Sequence, residues 1–133
     1  MRSKPALTAE DAAKAMAACT AEAQKNNWKV SIAIVDDGGR VWQIHRLEGA
    51  GPVTSNVALG KARTSAMMGR PSKMMEDRVK ERPAFVTFPD ILAIQGALPI
   101  IAQGECVGAI GVSGVQSHED EQVATVGIAA LGL

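Results

Sequence analysis

Apolar residues from Thr8 onward recur on a helical period: Ala12, Met16, Cys19 and Ala23 fall on one face, the spacing of an amphipathic helix. Thr8 and Asp11, three apart, form a capping box at its start, and the pattern stops near Lys25-Asn26-Asn27, before Trp28. The pattern then changes. In "VSIAIVDD" a period of two is overlaid on general apolarity, which predicts a strand covered on both faces. "DDGG" supplies turn residues that tolerate positive φ, and "RVWQIHR" runs back as the partner strand. Thr54 or Ser55 caps a second helix over "NVALGKARTSAMM", which Gly69 ends. "RPS" opens a third, shorter helix through "KMMEDRVKE".

The two prolines of "RPAFVTFPD" interrupt regular structure, after which "ILAIQG", "LPIIA" and "CVGAIGVSG" read as three short strands. The last alternates glycine or alanine with branched residues between Cys106 and Ser113, a smooth surface that lets a helix or another subunit approach closely. Ser117 caps a final helix, with Asp120 in the capping-box position and "VATVGIAALGL" as its apolar face. Helix, two strands, two helices, three strands and helix make an α/β (α+β) sandwich around one mostly antiparallel five-stranded sheet. Residues 1–133 are expected to form a single domain.

Composition narrows the function. Nearly half of the residues are apolar, which excludes a disordered chain, and aromatics are limited to Trp28, Trp42, Phe85 and Phe88. Few rings are therefore available to stack on bases, and the formal charge is zero without a basic tract, so no nucleic-acid partner is expected. The opening residues hold no apolar run of signal-peptide length before charges appear, and no later one approaches a membrane span, which points to a cytoplasmic protein with no membrane partner. Cys19 and Cys106 lack metal-ligand spacing and His45 and His118 lie far apart, so no metal site is expected. The pairs Met67-Met68 and Met74-Met75 read as core or interface filling.

Two nucleotide motifs fail on inspection. Gly60-Lys61 resembles the end of a phosphate loop, but Ser55 stands where glycine is needed and Ala62 where a Ser or Thr would reach magnesium. The glycines of "GAIGVSG" are not spaced as in the dinucleotide fingerprint. A more promising stretch is "IHRLEGAGPVTS", which joins a strand end, a loop with glycines and a helix start. There Arg46, Gly49, Ser55 and Asn56 offer a guanidinium, backbone donors and a helix N-terminus suited to an anion. Lys61 and Thr64, one to two turns on, can share a face with them. The set suits a carboxylate or a haem propionate; alternatively, Arg46 pairs with Glu48 or caps a carbonyl. Lys61 and Glu48 are the candidate proton-transfer groups if the protein is an enzyme.

"IAIVDDGGRVWQIHRLEGAGPVTSNVALGKARTSAMMGRPS" closely resembles the GlcG/HbpS family, the haem-degrading or DUF336-type domain. That family reads V-V-D-x-x-G-x-L, R-M-D-G-A, S-x-x-x-A-x-x-K-A-x-T-A and G-x-P-T in this order. "QGALPIIAQGECVGAIGVSGVQSHEDEQVATVGIAAL" continues the match through its G-G-x-P, V-G-A-I-G-V-S-G and Q-D segments. The chain departs from the pattern at Arg46-Leu47-Glu48-Gly49-Ala50, Gly96-Ala97-Leu98-Pro99 and Glu119-Asp120, and His45 and His118 fall where the family varies. The resemblance implies a profilin-like fold, compact homo-oligomers including octamers, and haem as a cofactor of some members. A related domain is fused to PduO-type cobalamin adenosyltransferases, and other members lie in catabolic operons. Two functions follow: a cytoplasmic oligomeric binding protein for haem or a related carboxylate-bearing ligand, or an isomerase, lyase or hydrolase acting on a small carboxylated or oxygenated metabolite.

Overall fold

Helix α1 (Ala9–Lys25) starts where its spacing requires. The Asp11 N–H donates to the Thr8 hydroxyl at 3.1 Å, and the Thr8 N–H donates to the Asp11 carboxylate at 2.9 Å. In the computed structural model, which describes residues 1–133, α1 leads into a hairpin of β1 (Ser31–Asp36) and β2 (Val41–Arg46). The turn is held by the Asp36 carboxylate, which accepts the N–H groups of Gly38 and Arg40, each at 2.9 Å. Helices α2 (Val53–Met68) and α3 (Ser72–Glu81) follow, then a 3-10 turn over Pro83–Thr87. Strands β3 (Ala97–Ala102) and β4 (Glu105–Ser113) and helix α4 (Ser117–Ala129) complete the order.

The strands lie in the order β2-β1-β4-β3, every neighbouring pair antiparallel. On one face Ala33, Val35 and Ala109 pack against Ala58, Ala62 and Ala66 of α2. On the other, Ile32, Ile34, Ile110 and Val112 meet Ala12, Ala15 and Cys19 of α1 and Val123 and Ala124 of α4. Ser31 to Val35 of β1 are accordingly buried throughout, as an apolar strand covered on both sides must be. The smoothness of β4 admits α2: a Cβ on Gly111 would stand 2.2 Å from the Ala58 carbonyl oxygen. On the opposite face, burial between α1 and α4 pushes the Cys19 thiol up to about 12.

Three expectations are corrected. The sheet has four strands rather than five, because "ILAIQG" does not pair with a neighbour strand. Two of its amides are taken by side chains, Leu92 N–H donating to Thr64 Oγ1 at 2.8 Å and Gln95 N–H to Glu76 Oε1 at 3.1 Å, and Ile94 N–H turns back to the Leu92 carbonyl at 3.0 Å. Helix α2 begins two residues earlier than Ser55 with Pro52 at its cap, and no side chain caps it. At α4 the capping box is formed by Gln116 and Glu119, one residue ahead of Ser117 and Asp120. Asp120 is thereby released for another task.

Candidate functional site

Antiparallel register decides which side chains of β2 face α2. Ile44 is opposite Ala33 and Arg46 opposite Ser31, so both stand on the α2 side, and His45, opposite Ile32, stands on the α1 side. Beneath Arg46 the Ser31 hydroxyl lies 2.8 Å from Thr54 Oγ1 and 3.2 Å from Ser55 Oγ. Thr54 and Ser55 both lie inside α2, after its first residue Val53, so neither occupies the cap position; the Thr54 hydroxyl also donates to the Gly51 carbonyl at 2.6 Å. Arg46, Glu48, Gly49 and Asn56 are exposed, and Ser55 is half-buried.

Neither alternative for Arg46 occurs. It forms no ion pair with Glu48 or any other residue. A free guanidinium therefore projects at the end of an edge strand whose neighbouring apolar side chains are also uncovered: Val41 is 47% exposed, Trp42 40% and Ile44 40%. A planar fork of donors beside an apolar ledge can hold the carboxylate of a mostly apolar ligand.

The structure draws Lys61 and Thr64 away from this surface. Lys61 Nζ donates to Asp120 Oδ2 at 3.0 Å and to the Val112 carbonyl at 3.0 Å, with Lys61 2% and Asp120 1% exposed. The other oxygen of Asp120 accepts the Val115 N–H at 3.2 Å. Burial pushes the Asp120 carboxyl up, and the Lys61 charge draws it part of the way back. Thr64 Oγ1 donates to the Gly60 carbonyl at 2.8 Å while accepting from Leu92. Both residues thus bind α2 to the β4–α4 junction and to the loop before β3.

Asp120 and Gly96 are the residues that sequence reasoning missed in this bracket; a Cβ on Gly96 would stand 2.6 Å from Lys61 Nζ. A signal was present in the helix itself. Ala58, Lys61, Ala62 and Ser65 follow the i, i+3, i+4, i+7 spacing of a buried stripe, and a lysine there needs a buried partner.

An all-antiparallel sheet between two helical layers, with an unpaired arginine on an open edge, defines an α+β protein. The chain belongs to the HbpS-like family: the family model for haem degrading protein HbpS-like matches residues 7–129. It is 40% identical to Protein GlcG of Escherichia coli K12 over 114 residues, covering 85% of each. The crystal structure of a double mutant of Streptomyces reticuli HbpS superposes with a TM-score of 0.93 at 35% identity, covering 100% of this chain and 92% of that one. A crystallised PduOC–haem complex gives a TM-score of 0.87 at 25% identity, with 95% of each chain covered.

Proposed function

We propose that this chain is a binding protein for haem or a related carboxylate-bearing tetrapyrrole, acting as one domain over residues 1–133. The unpaired Arg46 beside exposed Val41, Trp42 and Ile44 carries the reading. Its support outside the chain is the haem named for the family model and for the PduOC structure. The fit to haem is to its periphery: Arg46 would take a propionate, with Ser55 and Asn56 beside it at the start of α2, and the apolar side chains would cover the ring. The haem itself supplies a redox-active iron. No imidazole shares that face, since His45 is on the α1 side, 3.4 Å from Thr20 Oγ1, and His118 opens α4.

The same edge favours assembly. Uncovered edge strands recruit further strands, and β2 together with β3, whose Ile101 is 44% exposed, leaves both sheet edges open. A homo-oligomer follows, with the octamer as its expected size and the cytoplasm as its expected place. No helix is long and apolar enough to cross a membrane. Of the two candidate proton-transfer groups, Lys61 is held in its buried ion pair and only Glu48 stays free, which favours binding over catalysis. Haemin titration followed in the Soret region, paired with sedimentation, tests the reading. A saturable Soret shift on a particle well above the 13.9 kDa chain is the expected result. Unchanged haemin absorbance would overturn it.

A further inference from the structure

A second set of free polar groups lies apart from Arg46, at the other side of the β2 exit. Gln24, Asn27, Trp28, Lys29, Leu47 and Glu48 line a cavity of 260 Å³. It forms because α1 ends in a left-handed turn: Asn27 has φ of 61°, and the Trp28 N–H reaches back to the Ala23 carbonyl at 2.9 Å. That turn throws Trp28 and Lys29 toward the loop after β2. Gly49, at φ of 91°, admits the Lys29 stem, which a Cβ there would meet at 3.0 Å.

The charges in this cavity are opposite yet unpaired. Lys29 and Glu48 form no ion pair with each other or with any other residue. The amides of Gln24 and Asn27 flank them, and the Trp28 ring and Leu47 make the apolar wall. This combination selects by exclusion as well as attraction. A simple anion would meet Glu48, a simple cation would meet Lys29, and an apolar ligand would leave the polar groups without partners. A compound carrying both an ammonium and a carboxylate satisfies both charges. The volume, below the usual range for drug-sized ligands, limits the compound to a small metabolite.

We propose that this cavity is a site for a small zwitterion of the α-amino-acid class, with Glu48 on the ammonium and Lys29 on the carboxylate. It is independent of the haem reading, since neither Arg46 nor the apolar edge of β2 enters it. The test is calorimetric titration of the full chain with L-leucine, N-acetyl-L-leucine and L-leucine amide, which remove one charge at a time. The zwitterion is expected to bind saturably and at least about tenfold more tightly than either capped analogue. Glu48→Gln and Lys29→Met should each reduce that preference by about tenfold with unchanged melting temperature, and Glu48→Lys should transfer the preference to N-acetyl-L-leucine. Equal affinities for the three compounds, no saturable heat with any of them, or a preference that survives Glu48→Gln would overturn the proposal. Haemin titration of the same variants separates the two sites: it should be unaffected by Glu48→Gln, whatever the calorimetry returns.

Discussion

The seam between α2 and β4 and the open edge of β2 are built from opposite materials. In the seam, alanines and Gly111 let helix and sheet approach closely around one buried ion pair, and every buried side-chain polar atom has a partner. At the edge, large apolar side chains and a guanidinium stand uncovered. Chemically similar residues have therefore taken different roles: Lys61 is an internal bracket and Arg46 a free donor. A cation is informative about ligands only when the chain has not already used it.

Breaking the seam should have the largest effect. Asp120→Ala strands the Lys61 ammonium in the interior and should cost about 3–5 kcal/mol of stability, measured by urea unfolding. The double variant Lys61→Met with Asp120→Leu removes both charges and should recover most of that loss. If the single variant unfolds at the wild-type urea concentration, the pair is not the bracket described.

At the edge the expected response is assembly rather than folding. Trp42→Ser with Ile44→Ser should shift the sedimenting species toward the monomer while moving subunit stability by no more than about 0.5 kcal/mol, the usual range for exposed positions. A collapse of stability in that variant would show that the edge is part of the core.

Acid sharpens the contrast further. The Glu22 carboxyl, between α1 and α4, is held below its ordinary value of 4.5 chiefly by the hydrogen bond from Gln122, with Lys25 and Asn26 adding to it. A lowered folded value contributes stability above 4.5 that is lost as pH falls through the folded value. Melting temperature should therefore decline as pH falls below that point, and Glu22→Gln should flatten the decline. The smallest effect is expected from the histidines. Replacing His45 and His118 together should leave haemin affinity within about tenfold, roughly 1.4 kcal/mol, because the two do not share the Arg46 face. Complete loss of the Soret shift there would place iron ligation on the α1 side.

Much of the fold was legible in residue order. The α1 capping box, the β1–β2 hairpin and the Gly69 stop of α2 follow from local chemistry that tertiary contacts reinforce. "ILAIQG" was misleading because an apolar run does not reveal that Thr64 and Glu76 will take its amides. Neither Ser55 nor Asp120 holds a capping position, and each has a distant partner, Ser31 and Lys61, which local pattern does not reveal. Of the candidate site, Arg46, Gly49 and Asn56 lie at the surface. Lys61 was not, since its burial depends on Asp120 fifty-nine positions away.

The β2 edge is free to bind, and the seam is not. This contrast is tested most directly by one variant, Arg46→Ala, on which haemin affinity and melting temperature are both measured. Loss of a charged hydrogen bond should weaken haemin by about 1.5–3 kcal/mol while the melting temperature stays at the wild-type value. Unchanged affinity with a clear drop in melting temperature would contradict the account and make Arg46 a structural residue.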